Sequence, residues 1–531
     1  MCPGLNGHMP KFNNEICENG MTFEDCELAI LRHAVDVSEE TAKKRSVNTE
    51  PIRRMIRILE DFLVKKKLVC YGGTAINNIL PREAQFYDND VEIPDYDFYS
   101  PTPMEDAIEL SNIYHKEGYT DVEAKSGVHY GTFKVFVNFI PIADITLLPE
   151  SIFTNIRKEA ISIAGILYAP PNFLRMNMYL ELSRPLGDVS RWEKVLKRLT
   201  ILNKYYPLNV PYNCSTVDFQ RKMDDIPIDK ATSKNGVSLQ ETIYFTIRNS
   251  FMDQGVIFFG GYASSLYGKF MPAKQRKMVK NVPDFDVIAE EPMRVTTIIQ
   301  ERLKDIGVTN VTIVEHAGIG EIIPKHFEIR VGKDILAHVY EPVACHSYNE
   351  ITVAGRTVRV GSIDTLLTFY LAFVYVNLPY YYKDRIMCMC KFLFDVQQQN
   401  RLNQTGILKR FSVKCIGKQP TLVDIRAEKT EKFKEYGSNR KSREYQMWFL
   451  KYNPADPKGT VDGTDKGTDK SKHVKKDVID KNPIDQEDVP SIHKDKIDNK
   501  YKKKRKIRHG KTNKKILAAL IKTRKNVSWL V

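Results

Sequence analysis

The sequence lacks the cysteine patterns that build zinc sites and disulfide-stapled folds. Its 531 residues include nine cysteines, an odd number, and none of them form a CxxC pair. Structural zinc sites usually take such pairs, and stapled domains are usually short. We therefore predict no structural zinc and a reducing compartment.

A secretory signal and a membrane-spanning segment are also not expected from the printed sequence. The opening MCPGLNGHMPKFNNEICENG has no basic start that leads into an apolar stretch, which argues against a secretory signal. The longest apolar run, 366–382, contains Thr368, Asn377 and Pro379 and is shorter than the roughly 20 residues that cross a bilayer. We expect a buried helix in this run and no membrane partner.

The chain has a net positive charge, and most of this net charge lies in the C-terminal tail. The formal net charge is +14, and residues 501–531 contain 12 Lys and Arg but no Asp or Glu. Residues 455–500 are nearly balanced in charge and poor in aromatic residues, so they cannot bury enough apolar surface to order themselves. We predict a disordered Lys-rich tail over 455–531. Solubilisation, nucleic-acid contact and targeting all remain open as its role.

The body of the chain contains an internal repeat with a period of about 188 residues. In each copy a helical segment leads into a short apolar strand and a Gly-Gly pair, Gly72-Gly73 and Gly260-Gly261. An acidic pair follows 22 residues after the second glycine in one copy and 23 in the other, as PDYD and PDFD. The repeat predicts two domains of one fold.

The Gly-Gly pair of the first copy is predicted to lie at a corner between a strand and a helix. Without Cβ atoms, Gly72 and Gly73 let the backbone approach an anion, and the free N–H groups of the helix start point toward it. A triphosphate suits such a corner, and the hydroxyl of Thr74 is a further candidate contact. The pattern GxxxxGK[ST] does not occur, so this is not a P-loop.

Three carboxylates follow the corner in chain order. Asp95 and Asp97 are two apart in a strand-like segment, so their side chains share a face. Asp144 ends a second alternating run, which predicts a strand that delivers a third carboxylate. Taken singly, each acid is equally well explained as a turn or cap residue. Together they favour a site for two divalent metal ions that catalyses phosphoryl transfer.

The order of Gly-Gly corner, DxD strand and third Asp resembles the DNA polymerase β-type nucleotidyltransferase superfamily. More narrowly, YGGTAINNILP at 71–81, PDYDFYSP at 94–101 and SRP…RWEKV at 183–195 resemble the poly(A) polymerase catalytic subunits of large cytoplasmic DNA viruses. The resemblance covers about residues 50–395. One departure is Gly73, because the superfamily often has Ser after the first Gly.

This resemblance implies an enzyme that transfers AMP from ATP to the 3′-hydroxyl of mRNA without a template. Asp95 and Asp97 would bind two Mg²⁺ or Mn²⁺ ions, and Asp144 would bind metal and activate the primer hydroxyl. Gly72, Gly73 and Thr74 would bind the nucleotide. The expected partners are the RNA 3′ end, ATP, and a second copy or a separate processivity subunit. The expected locations are the host cytoplasm, at the viral factory, and the virion.

The second copy is expected to be degenerate. It keeps Asp284 and Asp286, but His338 occupies the position of Asp144. A neutral imidazole cannot replace a carboxylate as a hard oxygen ligand for Mg²⁺. The alternative is that another acid, such as Glu341, completes the set.

We predict an α+β architecture of tandem nucleotidyltransferase-like domains, each a mixed β-sheet with helices. Two alternative functions remain open, which are another nucleotidyltransferase with a different nucleotide or acceptor and a non-catalytic RNA-binding scaffold. The predicted parts are an N-terminal helical segment (1–50), a catalytic domain (51–205), a linker (206–235), a degenerate domain (236–395), a helical extension (396–454) and the tail (455–531).

Overall fold

The structure is a computed structural model that describes residues 16–17, 21–47, 49–87, 93–211, 213–214, 239–270 and 284–457. The Lys-rich tail therefore lies outside the described residues, apart from Ala455 to Pro457. Most of the predicted linker also lies outside them. The predicted domain boundaries stay predictions.

The first half of the chain alternates helices and strands. The helices are α1 (Phe23–Val47), α2 (Glu50–Lys66), α3 (Gly72–Ile79), α4 (Pro103–Lys116), α5 (Glu150–Lys158), α6 (Pro171–Leu182) and α7 (Trp192–Tyr205). The strands are β1 (Val69–Tyr71), β2 (Tyr96–Ser100), β3 (Val122–Ser126), β4 (Thr132–Val137), β5 (Ile140–Leu147), β6 (Ile161–Ile163) and β7 (Ile166–Tyr168).

The second half repeats this alternation and then adds a short extension. The helices are α8 (Leu239–Asp253), α9 (Gly261–Tyr267), α10 (Pro292–Asp305), α11 (Ile363–Phe373), α12 (Lys383–Gln399), α13 (Leu422–Tyr436) and α14 (Arg443–Phe449). The strands are β8 (Ile257–Phe258), β9 (Phe285–Ile288), β10 (Val311–His316), β11 (His326–Val331), β12 (Asp334–Tyr340), β13 (His346–Val353), β14 (Arg356–Gly361), β15 (Cys415–Ile416) and β16 (Lys451–Tyr452).

Each half builds one mixed sheet, and the two sheets have the same strand order. The first runs β16-β3-β4-β5-β2-β1-β7-β6, and the second runs β10-β11-β12-β9-β8-β14-β13-β15. Apart from the edge strands β16 and β15, each strand of the first sheet corresponds to the strand of the second sheet whose number is higher by seven. The central pairs β2–β5 and β9–β12 are both parallel, whereas β1–β2 and β8–β9 are both antiparallel. The predicted α+β fold with tandem copies is confirmed.

Helix α2, which leads into the first sheet, shows how the sequence specifies an element. Its residues Ile52, Met55, Leu59, Phe62 and Leu63 recur every three or four positions and are buried, so one face packs on the sheet. Pro51 lies in the first turn, where no N–H is needed. Lys67 adopts φ +55° and ends the helix, which directs the chain into β1.

The two halves also contact each other through equivalent helices. Helix α6 follows the hairpin β6–β7, helix α11 follows the hairpin β13–β14, and the two helices pack together. Helix α11 is buried along its whole length, as expected for the apolar run. None of the described helices combines the length and apolar character needed to span a membrane.

The cysteines differ from the prediction of free thiols in a reducing compartment. The structure joins Cys17 to Cys26, Cys214 to Cys388 and Cys345 to Cys415 as disulfides. The physical reason is proximity, because the Cα atoms of these pairs lie 5.2–5.5 Å apart, within the usual range for a disulfide. The partners are up to 174 residues apart in sequence, so spacing could not reveal them. Cys70 and Cys390 are buried free thiols.

Candidate active site

Parallel pairing of β2 with β5 brings the predicted carboxylates together. Asp97 is directly opposite Asp144 in the register of these strands. Side chains that are opposite each other on neighbouring strands lie on the same face, and the strands are about 4.8 Å apart. Asp95 lies two residues before Asp97, at the entrance to β2. All three acids predicted from the sequence therefore meet at one end of the first sheet.

The Gly-Gly corner lies against the same carboxylates. Strand β1 is antiparallel to β2, with Tyr71 opposite Asp97, so the chain turns into α3 beside that acid. Gly72 adopts φ +74°, a backbone conformation that favours glycine. A Cβ on Gly72 would lie 2.5 Å from Oδ2 of Asp97. Glycine is needed here for both backbone conformation and space.

Thr74 connects the corner to the acidic strand. Its side chain is buried, and its hydroxyl donates a hydrogen bond of 2.6 Å to the backbone carbonyl of Asp95. This hydrogen bond fixes the position of the Asp95 backbone relative to the start of α3. Phosphate contact by the same hydroxyl stays a prediction.

The three carboxylates form an electrostatically unfavourable cluster. Burial, together with the charges of Asp95 and Asp144, raises the pKa of Asp97 to about 8, while Lys134 and Arg191 act in the opposite direction. The Nζ atom of Lys134 lies 2.9 Å from Oδ2 of Asp144. Lys134 thus neutralises part of the negative charge.

The donor set fits a divalent cation of the Mg²⁺ type, because carboxylate oxygens are the hard ligands that such ions prefer. Burial and two neighbouring carboxylates both disfavour the ionised form of Asp97, and a bound cation would favour it. Over the described ranges, however, no three acidic, His or Cys side chains are already arranged around one point as a metal site. Asp144 is paired with Lys134 instead.

Sequence reasoning missed a cation at the corner. Arg198 of α7 stacks its guanidinium on Phe86 and Tyr87, with its Cζ atom 5.0 Å and 5.4 Å from the ring centres. A Cβ on Gly73 would lie 3.0 Å from Nη1 of Arg198, so the charge faces the second glycine. Asn77 holds the loop in place by accepting hydrogen bonds from the backbone N–H groups of Phe86 and Tyr87. Nothing in the sequence distinguishes Arg198 from an ordinary solvent-exposed arginine on a helix.

The second copy places His338 where the repeat predicted it. Asp286 is opposite His338 in the parallel pair β9–β12, which reproduces the pairing of Asp97 with Asp144. Nδ1 of His338 lies 3.2 Å from Oδ1 of Asp286. The carboxylates of Asp286 and Asp284 fill the space where Cβ atoms on Gly260 and Gly261 would lie. This corner is closed by its own acids.

The hairpin that carries Asp144 or His338 pairs an acidic with a basic residue in both copies, but the acidic and basic residues are on opposite strands in the two copies. In the first copy Lys134 on β4 is opposite Asp144 on β5, and in the second Glu328 on β11 is opposite His338 on β12. Glu328 is fully buried and forms an ion pair with Arg330. Glu328 is therefore a further acid near His338, with Oε2 3.9 Å from Nε2 of the imidazole, while Glu341 is exposed.

The space left at the second corner is small. A cavity of about 20 Å³ remains there, lined by Asp284, Asp286, His338, Tyr370, Phe373, Tyr380, Tyr381, Arg385, Ile386 and Met389. This volume suits one or two waters.

We expect the double variant Asp284→Asn with Asp286→Asn to keep its single-turnover rate of nucleotide addition within about twofold of wild type. The reason is that His338 occupies the position of Asp144, so the second copy has no carboxylate at that place. Rapid-quench measurement at saturating RNA and ATP would test this, with the melting temperature as a check on folding. A large loss of rate in a folded variant that still binds RNA would show that the second copy takes part in the chemistry.

Comparison with known proteins agrees with the resemblance found in the sequence. Residues 57–188, which include the corner and all three acids, match the family model described as poly(A) polymerase catalytic subunit. A protein of Acanthamoeba polyphaga mimivirus, provisionally named as such a subunit, is 31% identical over 265 residues, 47% of this chain and 43% of the relative. Its provisionally named counterpart in an African swine fever virus isolate is 29% identical over 212 residues, 39% of this chain and 44% of the relative.

The similarity to these curated relatives spans less than half of their length. A solved structure extends the comparison to most of the fold. The crystal structure of the Megavirus polyadenylate synthase matches with a TM-score of 0.68 and 21% identity, over 84% of this chain and 89% of that one. The tandem arrangement of sheets is therefore shared with that protein.

Proposed function

We propose that this chain is a poly(A) polymerase that adds AMP from ATP to the 3′-hydroxyl of RNA without a template. The observation that carries the proposal is the register of β2 and β5, which sets Asp97 opposite Asp144 beside the glycine corner. Binding alone does not require three converging carboxylates next to a glycine corner. The match of this segment to viral poly(A) polymerase subunits supports the same conclusion.

In the proposed reaction the primer O3′ forms a bond to the α-phosphorus of ATP, and the bond from that phosphorus to the bridging oxygen breaks. The 3′-hydroxyl loses its proton, and pyrophosphate leaves. Two Mg²⁺ or Mn²⁺ ions, when bound, would lower the pKa of the attacking hydroxyl and stabilise charge on the leaving group. Asp95 and Asp97 would hold both ions, and Asp144 would hold the one next to the primer.

The chain's own residues supply the remaining functions. The backbone of Gly72 and Gly73 would hold the triphosphate at the start of α3, where free N–H groups attract anions. Arg198, held by Phe86 and Tyr87, would donate hydrogen bonds to phosphate oxygens beside Gly73. Lys134 would be released from Asp144 when metal takes over the neutralisation of that carboxylate.

The proposed partners are RNA, ATP and a component that retains RNA between additions. The relatives are described as catalytic subunits, and a companion subunit or a second copy of the chain would both serve this purpose. We favour a homodimer, since symmetric pairs are the commonest oligomers. The host cytoplasm is the proposed location.

The test is to incubate the pure protein with Mg²⁺, a single-stranded RNA primer and each of the four nucleoside triphosphates separately. We expect primer extension with ATP only. Extension with another nucleotide, or transfer to a different acceptor, would favour another nucleotidyltransferase. RNA binding without extension under any of these conditions would favour the non-catalytic scaffold.

A further inference from the structure

The hairpin that delivers Asp144 ends in an unusual turn. Val137 pairs with Ile140, so Asn138 and Phe139 form a two-residue connection between β4 and β5. Asn138 adopts φ +51° and Phe139 adopts φ +66°. Two-residue turns with both residues at positive φ strongly favour Asn-Gly, because only glycine accepts this region without steric cost.

Two other hairpins in the same chain show what this turn normally requires. The β6–β7 connection is Ala164-Gly165, with φ values of +50° and +84°, and the β13–β14 connection is Ala354-Gly355, with +49° and +77°. Both place glycine at the second position. The β4–β5 hairpin places a phenylalanine there instead, although a bulky residue at positive φ is a genuine outlier.

Folding does not explain this choice. The side chain of Phe139 is 85% exposed, so it contributes almost nothing to the core. The corresponding β11–β12 hairpin of the second copy connects Val331 to Asp334 through Gly332 and Lys333, with Gly332 at φ +62°. The copy that lacks the third carboxylate therefore also lacks the aromatic tip.

The tip lies at the same end of the sheet as the metal-binding acids. Strands β2 and β5 are parallel, and Asp95 and Phe139 each immediately precede their strand. Phe139 and Asp144 are five positions apart, which corresponds to roughly 16 Å along an extended strand. A primer whose 3′ end reaches Asp144 could place a base several nucleotides upstream on this ring.

Positive charge lies on the same part of the sheet. Lys134 is opposite Asp144, and Lys125 on β3 is in turn opposite Lys134. The acid and the two lysines therefore form a row across the strands of the sheet. Nζ of Lys125 lies 4.1 Å from the ring centre of Phe136 and 3.8 Å from Oε2 of Glu123. Cations beside aromatic rings are the combination that binds single-stranded nucleic acid.

We propose that the β4–β5 hairpin tip is a stacking platform for the single-stranded RNA primer, with Phe139 contacting an unpaired base upstream of the 3′ end. The proposal rests on the proposed function, because it takes RNA as the acceptor that enters beside Asp144. Lys134 and Lys125, which lie level with Asp144 across the sheet, would contact phosphates near the 3′ end of the primer. Phe139 is retained at a backbone cost because its ring binds the substrate.

The test compares wild type with Phe139→Gly and Phe139→Trp. Fluorescence anisotropy without ATP would measure binding to a labelled single-stranded RNA of about 15 nucleotides, a length within known site sizes. Loss of one base stack predicts binding about 5- to 30-fold weaker in Phe139→Gly, and Phe139→Trp should bind as wild type does. Leu402→Gly is the matched control, because Leu402 is 96% exposed in another turn and should leave RNA affinity unchanged.

Thermal melting of the same proteins separates binding from folding. Glycine relieves the positive φ, so the melting temperature of Phe139→Gly should equal or exceed that of wild type. Unchanged RNA affinity in Phe139→Gly would overturn the proposal. If unchanged affinity accompanied a lower melting temperature, the ring would be structural. If it accompanied loss of self-association in light scattering, the tip would bind protein.

The design also separates this proposal from the proposed function. A wild-type protein that binds the RNA but adds no nucleotide would contradict the polymerase assignment and would not affect the proposal that the tip binds RNA. A wild-type protein that extends RNA while Phe139→Gly binds RNA equally well would contradict the tip alone.

Discussion

Replacing Asp97 with Asn should abolish nucleotide addition while leaving the protein folded. Asp97 is the central acid of the cluster, opposite Asp144 and two residues from Asp95. An amide of the same size carries no negative charge and cannot help neutralise two metal ions. Because metal ions contribute several kcal/mol of charge stabilisation, we expect the initial rate to fall by about a thousandfold or more.

The same substitution should not reduce stability. The pKa of Asp97 is raised to about 8 by burial and by Asp95 and Asp144, so an ionised Asp97 is unfavourable in the metal-free protein. Asn removes that cost. Primer extension with labelled ATP gives the rate, and thermal melting in chelator gives the stability.

Asp286→Asn is the matched control for this experiment, because Asp286 has the same register position in the second sheet. It should leave the rate within about twofold. Comparable extension by wild type and Asp97→Asn, at equal melting temperature, would show that the catalytic site lies elsewhere.

The sequence could predict the candidate site because its parts follow local rules. Two acids at i and i+2 share a strand face, and an alternating run that ends in Asp144 predicts another strand. The repeat shows the same order twice. Chance therefore does not explain why an acidic pair follows a glycine corner. These arguments need no knowledge of which strands are neighbours.

The contacts that tune the site could not be predicted in this way. Pairing of Lys134 with Asp144, and of Glu328 with His338, depends on which residues face each other across a hairpin and on its register. Arg198 reaches the corner from a helix more than 100 residues further along the chain than the glycines. The Cys214–Cys388 disulfide joins positions that are even more distant, 174 residues apart.

Gly72→Ala should lower activity far more than it lowers stability. The new methyl group would lie 2.5 Å from Oδ2 of Asp97, a separation that real Cβ atoms do not show, so the carboxylate or the corner must move. Misplacement of a reacting group by about 1 Å can cost on the order of 100-fold in rate, and we expect a loss of that size. The φ of +74° adds a conformational cost of about 1–2 kcal/mol for any residue other than glycine.

Gly118→Ala provides a control with the same backbone penalty and no contact at the site. Gly118 adopts φ +95° at the end of α4, and a Cβ there would have no neighbour within 4 Å. Both variants should lose stability through the backbone penalty, and Gly72→Ala should also lose stability through the cost of moving Asp97 or the corner; thermal melting would measure both losses. Primer extension well below both melting temperatures should show a loss of about 100-fold for Gly72→Ala and a rate near wild type for Gly118→Ala.

The kinetic pattern would identify what Gly72 does. If the methyl group displaces Asp97, kcat should fall, because the acid that we propose binds metal is out of position in the transition state. If it only obstructs the triphosphate at the corner, the KM for ATP should rise while kcat is retained. Equal loss of activity in Gly72→Ala and Gly118→Ala would mean that backbone strain alone is responsible, and the corner would then have no direct part in catalysis.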